Sequence, residues 1–301
     1  MDHAYIRIGL ATLISLGLSY HGLKKKSLDL SGALAALIVG FISFATSYQY
    51  GMTLILFYYV SSKLTKMKED IKKKLEDHFL TGGQRNYLQV FANSILATII
   101  CIISLINYRN ESSLINFDDG SYQYSILQSI YVAHYACACG DTWASELGIL
   151  STETPRLITT LLIRKVPRGT NGGITILGTV ASAAGGLFIG IVYWLFSLDV
   201  VNDGFADPHH QYPIIVLGLI SGFIGSVYDS ILGGFLQATY YSKRRQCIVK
   251  GKPVSDALAG DDEIVHICGI NVLSNEAVNF ISIAMTMFTI AYIAPLLFLS
   301  I

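Results

Sequence analysis

Charge is what this chain lacks first: only 14% of its 301 residues are Asp, Glu, Lys or Arg, against about 25% in ordinary soluble domains. It also lacks a net charge, with 21 basic residues balanced by 21 acidic ones, so no global field draws it to nucleic acid. Cysteines are few and carry no zinc spacing. Cys137 and Cys139 are separated by one residue, and Cys101, Cys247 and Cys268 are isolated, which excludes a zinc ribbon and leaves them as packing residues. No internal repeat and no long linker divides the sequence, so a single integral membrane domain over residues 1–301 is expected. The first apolar run has no basic n-region ahead of it and no clear small-residue cleavage site after Gly17-Leu18-Ser19, and no Arg/Ser-rich transit segment precedes it. The first run is therefore read as a retained span, and the endoplasmic reticulum as the expected membrane.

What is abundant is apolar residue, 52% of the chain. Runs long enough to cross a bilayer fall at about 4–20, 30–47, 49–62, 88–107, 123–147, 173–197, 213–240 and 277–299. Loops after the odd-numbered runs hold Lys24, Lys25 and Lys26; then Lys63, Lys66, Lys68, Lys72, Lys73, Lys74 and Arg85; then Arg156, Arg164, Lys165 and Arg168; then Lys243, Arg244, Arg245, Lys250 and Lys252. Only Arg7 and Arg109 lie elsewhere. This alternation makes the basic face cytoplasmic and both termini luminal. The expected fold class is an all-α polytopic membrane protein of about eight transmembrane helices.

Against that background the polar residues inside the spans stand out. The fifth ends in Gly140-Asp141-Thr142-Trp143-Ala144-Ser145-Glu146-Leu147-Gly148, and an unpaired charge within the bilayer costs at least about 2.5 kcal/mol. Asp141 and Glu146 are five positions apart, on different helix faces, so they do not compensate each other. A metal ion, a cation from another helix or a water-filled cavity must do so. Asp229 lies in the seventh span among Gly218, Gly222, Gly225, Gly233 and Gly234, small residues that let helices approach closely. Asp141 and Asp229 together suit a hard divalent cation, magnesium if nucleotide phosphates complete its octahedron. The alternative is that each aspartate pairs with Lys165, Arg168 or Arg85 and only holds the bundle together.

The loop Lys165-Val166-Pro167-Arg168-Gly169-Thr170-Asn171-Gly172-Gly173-Ile174-Thr175 feeds the sixth span. Two cations followed by a turn-forming run at a helix start suit phosphate; the bland reading is a connector whose cations face lipid head groups. Gln89 and Asn93 share one face of the fourth span, and Asn275 and Asn279 open the eighth, giving a polar lining. Five helices thus bring polar groups to one cytoplasm-facing pocket. His134 is read as a satisfied buried histidine, His209 and His210 as luminal, and the charge run 63–77 as a solvated or amphipathic helix.

The glycine-aspartate motif at 140–148, the segment 166–175, Gln89-Val90-Phe91-Ala92-Asn93 and Asp229-Ser230-Ile231-Leu232-Gly233 together resemble the transmembrane protein 19 family, which includes the plant and cyanobacterial phytyl-phosphate kinases. The similarity covers roughly residues 30–295. More distantly, Gly140-Asp141 and the basic loop resemble phytol kinase, dolichol kinase and CTP-dependent cytidylyltransferases. The resemblance implies a membrane kinase that transfers a phosphoryl group from CTP or another nucleoside triphosphate to an isoprenoid alcohol phosphate, giving the diphosphate. It implies Mg2+ at Asp141 and Asp229, with Glu146 beside them or at a second metal. Lys165, Arg168, Gly169, Thr170, Asn171, Gly172 and Gly173 would then hold the nucleotide phosphates. The lipid tail is expected between the small residues of the sixth and seventh spans. An isoprenoid alcohol kinase, a cytidylyltransferase, a transporter and a purely structural membrane protein stay open as alternatives.

Overall fold

The computed structural model describes residues 2–67, 84–108, 114–117, 121–201, 211–249 and 263–299. Helix α1 (Asp2–Lys24) turns at Ser27, whose N–H donates to the Gly22 carbonyl at 3.0 Å. It then packs against α2 (Leu30–Thr46), capped by Asp29, whose Oδ1 accepts the Gly32 N–H at 2.7 Å. Ser47 ends α2 and caps the next helix through its Oγ, which accepts the Tyr50 N–H at 3.1 Å. The short apolar run expected at 49–62 is accordingly a full helix, α3 (Tyr48–Lys66).

The fourth expected span is two pieces, α4 (Tyr87–Ala92) and α5 (Ile95–Asn107). At the break, Asn93 Nδ2 donates to the Gln89 carbonyl at 2.9 Å and Ser94 Oγ to the Val90 carbonyl at 2.6 Å. Such side-chain bonds compete with the helical ladder and favour an interruption. The Asn93 carbonyl is then taken by His134 Nε2 at 2.9 Å, so the buried His134 is satisfied at that nitrogen, while its Nδ1 has no partner among the described residues.

His134 belongs to α6 (Tyr122–Gly148), a 27-residue helix and, at about 1.5 Å per residue, the axis of the bundle. It packs on α3, on α5, on α7 (Ile176–Val201), on α8 (Pro213–Leu236) and on α9 (Asn275–Leu299). Every residue from 131 to 140 is buried. A helix enclosed on all sides needs no apolar stripe toward lipid, so it carries Gln128, Ser129 and His134 within the bundle. Among the described residues four helices, α1, α7, α8 and α9, are long and apolar enough to cross a membrane; α2 and α5 are apolar but shorter. Leu13, Leu34, Val180, Phe288, Tyr292 and Leu296 are exposed on the outside, the surface a bilayer would cover.

Helices α7 and α8 meet along a glycine seam. A Cβ on Gly222 would lie 2.6 Å from Gly186 Cα, one on Gly218 2.8 Å from Gly190 Cα, and one on Gly190 2.8 Å from the Ile214 carbonyl oxygen. Backbone therefore packs on backbone, the close approach that small residues permit.

The all-α expectation needs correcting at the end of the bundle that carries the aspartates. Helix α8 stops at Leu236, and the chain continues into β3 (Thr239–Ser242), β4 (Cys247–Val249) and β5 (Ile264–Cys268), an antiparallel sheet ordered β4-β3-β5. Upstream, β1 (Arg156–Leu157) pairs with β2 (Gly173–Ile174), Leu157 opposite Gly173, and closes the basic loop at its base. The strand residues are the β-branched and aromatic Thr239, Tyr240, Tyr241, Ile248, Val249, Ile264 and Val265, which favour extended backbone. Their proximity to a block of cations made the segment look like a basic loop. Of the charge run 63–77, Lys63 and Lys66 lie on α3; residues 68–77, together with His209, His210, Lys250 and Lys252, lie outside the described residues.

The seam gives the first prediction. Gly222→Val forces α7 and α8 apart and should cost about 1–3 kcal/mol, the usual range for overpacking, lowering the thermal midpoint of the detergent-solubilised protein. Gly9→Val, at a position with nothing within 4 Å of an added Cβ, should leave it unchanged.

Candidate functional site

A cavity of about 590 Å³ opens where α6 ends, α8 carries Asp229, α9 begins and α4 breaks off. Asp141, Glu146, Arg168, Gly169, Thr170, Asn171, Gly172, Gly173, Asp229, Gln89, Asn93, Asn275 and Asn279 all line it. The sequence-derived set thus comes together from four helices and one loop, with one exception. Lys165 is exposed and pairs across a β-bridge with Arg156, while the adjacent Val166 is buried. Side chains alternate along extended backbone, so burying Val166 turns Lys165 out to the surface, and it does not line the cavity.

Asp229 accepts from Ser282 Oγ at 3.5 Å and, with the Asn279 amide oriented nitrogen-inward, from its N–H at 3.3 Å, while that amide also donates to the Asn275 carbonyl at 3.0 Å. Asn275, Asn279 and Ser282 follow i, i+4, i+7 spacing, one helix face; that spacing is the signal by which Ser282 could have been found in the sequence. Asp141 has no hydrogen bond among the described residues. Neither aspartate has a cation within ion-pair distance there; the ion pair among the described residues is Lys243 with Glu263 at 2.6 Å, away from the cavity. The pairing with Lys165, Arg168 or Arg85 is therefore not what the structure shows. The two carboxylates also lie near enough to act on each other electrostatically.

Magnesium fits such a donor set. The groups are hard oxygens, uncompensated, open to a cavity and without histidine or thiolate competitors at the lining. No cluster of three acidic, His or Cys side chains occurs among the described residues. One or two carboxylates with phosphate oxygens completing the shell is the usual magnesium arrangement, rather than an all-protein cage.

The glycine loop acts differently from expectation. Its N–H groups are largely used within the protein: Thr170 N–H donates to the Pro167 carbonyl at 3.3 Å, Asn171 N–H to Thr239 Oγ1 at 3.3 Å and Gly173 N–H to the Thr170 carbonyl at 3.0 Å. At the start of α7, Thr175 Oγ1 accepts the Gly178 N–H at 3.1 Å, capping the helix with its own side chain. Three of the five N–H groups of residues 169–173 are thus engaged within the protein, and the Arg168 guanidinium is the loop's cationic group at the cavity. The loop is braced from behind by the sheet through Thr239, through Cys268 Sγ donating to the Asn171 carbonyl at 3.4 Å, and through Arg164 Nη1 donating to the Ile267 carbonyl at 3.0 Å. Gly169 and Gly172 have φ of +85° and +74°, where side chains are strained. Gly172 also packs on α8, a Cβ there lying 2.7 Å from Gly234 Cα and from the Ser230 carbonyl oxygen.

Two further placements differ from the sequence reading. Gln89 spends its Oε1 on the Asn86 N–H at 3.2 Å in a capping box, and Asn93 its amide on Gln89, so both line the cavity while serving helix ends. The seam between α7 and α8 leaves no room for a lipid tail. Arg85, read as a topology-setting cation and as one possible partner of the aspartates, and Glu276, which the sequence reading left unassigned, also line the cavity.

Residues 13–287 match the family model described as integral membrane protein DUF92. Protein PGR of Arabidopsis thaliana is 37% identical over 94% of this chain and 94% of its own length. An uncharacterized membrane protein of Methanocaldococcus jannaschii is 28% identical over 77% of this chain and 84% of its own. Protein VTE6, chloroplastic, of Arabidopsis thaliana is 26% identical over 55% and 46% respectively. No solved structure matches the chain.

The two positive-φ glycines separate strain from contact. Gly169→Ala meets only the Ile248 side chain, at 3.3 Å, and should cost about 1 kcal/mol of conformational strain. Gly172→Ala adds a backbone clash and should cost about 1–3 kcal/mol more. Thermal unfolding of the two purified variants should rank them in that order.

Proposed function

The chain belongs to the DUF92 family of integral membrane proteins, and from that premise we propose that it is a membrane kinase that transfers the γ-phosphoryl group of a nucleoside triphosphate to an isoprenoid alcohol phosphate. The observation that carries this reading is the pair Asp141 and Asp229, uncompensated by any cation among the described residues, on one cavity with Arg168. The lipid phosphate oxygen attacks the γ-phosphorus, a new P–O bond forms, the bond to the β–γ bridging oxygen breaks, and the nucleoside diphosphate leaves with that electron pair. A phosphate monoester is already anionic near neutral pH, so no strong base is required and positioning with charge neutralisation suffices.

Asp141 and Asp229 would hold Mg2+, which supplies neutralisation of the charge developing on the phosphoryl oxygens. Arg168 orients the nucleotide phosphates as a planar donor. Asn279 and Ser282 fix the Asp229 carboxylate, and Glu146 lines the same cavity. CTP is the favoured donor, on the resemblance to CTP-using lipid enzymes. Single-domain organisation, eight crossings with both termini luminal, and a site facing the cytoplasm belong to the same proposal; the alternation of basic loops supports the orientation. The endoplasmic reticulum is the proposed membrane, with a plastid the competing one because a relative is named chloroplastic; imaging of the tagged chain decides between them.

The test uses protein in nanodiscs with Mg2+, γ-labelled CTP and farnesyl, geranylgeranyl, phytyl and dolichyl phosphates with the matching alcohols. Label should appear in a lipid diphosphate and fall by about 100-fold or more in Asp141→Asn and Asp229→Asn. Label in a monophosphate made from an alcohol would instead identify an alcohol kinase. Absence of transfer with every acceptor and no binding of magnesium nucleotide would refute the reading.

A further inference from the structure

The cavity continues beyond the aspartates. Its far wall comes from the first three helices and is mostly apolar, with Leu18 of α1, Ala36 and Val39 of α2, and Leu54 and Phe57 of α3 beside Ser15, Tyr58 and Thr65. Arg85 lines the same space. Its position is fixed from both ends of the residue. The backbone forms a parallel bridge with Leu28, Arg85 N–H donating to the Ser27 carbonyl and Asp29 N–H to the Arg85 carbonyl, each at 3.0 Å. Gly32 packs against that carbonyl with no space for a Cβ. The guanidinium donates from Nη1 to Ser62 Oγ at 3.1 Å and from Nη2 to Thr65 Oγ1 at 3.5 Å.

Those partners are neutral hydroxyls. No carboxylate lies within ion-pair distance of Arg85 among the described residues; it is partly buried at the cavity, and that burial lowers its pKa from the ordinary value, as expected for a cation with no counter-charge beside it. A charge in that state is stabilised strongly by an incoming anion, and a guanidinium offers a planar fork to phosphate. An anion site that opens onto an apolar arm has a matching ligand chemistry: a phosphate monoester at the head of a hydrocarbon tail.

We propose that Arg85 binds the head phosphate of the lipid acceptor and that the arm between α1, α2 and α3 takes its tail. This deepens the kinase reading and rests on it. It separates the two phosphate-bearing substrates on opposite sides of the cavity, nucleotide against Arg168 and the aspartates, lipid against Arg85, and it moves the tail away from the closed seam between α7 and α8.

The test is photocrosslinking in nanodiscs of a geranylgeranyl phosphate analogue carrying a diazirine at the tail end, without nucleotide, with crosslinked peptides mapped by mass spectrometry. Crosslinks should fall on α1–α3, drop at least tenfold in Arg85→Gln, persist in Asp141→Asn, and be weak for the same-length alcohol. Inorganic phosphate in excess should compete poorly, because it lacks the tail; efficient competition would mean a free-phosphate site and overturn the proposal. Ala36→Phe, which fills the arm and leaves Arg85 intact, should abolish the α1–α3 crosslinks even if Arg85→Gln folds poorly. Magnesium-nucleotide binding should be unchanged in both variants. Crosslinks spread over the outer faces of α7–α9, or undiminished in both variants, overturn the proposal while nucleotide binding still stands for the kinase reading. Loss of nucleotide binding in wild type with the α1–α3 crosslink intact sinks the kinase reading and supports this lipid site.

Discussion

Two carboxyl groups with no cationic partner among the described residues, at one cavity inside a helical bundle, are the constraint on which the rest of the architecture depends. A carboxylate taken from water into a protein interior loses solvation worth several kcal/mol even after relaxation, and here two are brought together. The bundle tolerates them by opening a cavity around them and by giving Asp229 hydrogen bonds from Ser282 and Asn279. Everything around the pair then serves to define what else enters that cavity: a braced loop with one arginine, a helix start with two asparagines, and a second arginine held among hydroxyls.

Enclosure explains which parts of the fold could be read from the sequence. Helices that meet lipid, α1, α7, α8 and α9, announce themselves by apolar length. The central helix α6 was also read from its run at 123–147, although its neighbours cover it; the short run at 49–62, now α3, is the one that the charge alternation across loops required. The break between α4 and α5 was hidden because a run of apolar residues looks the same whether or not Asn93 and Ser94 divert its carbonyl bonds. The sheet was hidden because Lys243, Arg244 and Arg245 dominate the average over residues whose individual preference is for strand.

The site was legible to the extent that its chemistry is costly. Asp141 and Asp229 stand out in an apolar context, and the structure brings them to the same cavity. The loop was legible as a place but not as a mechanism: glycines that looked like open donors are instead the means by which the chain turns against α8, and hydrogen-bonding by Thr239 is invisible from the loop itself. Lys165 and Arg168 are three residues apart and were indistinguishable on the page; the β-bridge to Arg156 sends one outward and leaves the other at the cavity. Arg85 was concealed by its company, since a cation in a basic loop is ordinarily a solvated one.

The glycine seam also has a metrological role. Helix α7 carries the braced loop at its start and α8 carries Asp229, so the backbone-to-backbone contact at Gly186, Gly190, Gly218 and Gly222 is a ruler that sets the gap between loop and carboxylate. A side chain added anywhere along that ruler lengthens it at the far end, where no residue of the site has been touched. Precision in the chemistry is thereby delegated to positions about two to four helical turns away, at which the only informative property of a residue is that it has no side chain at all.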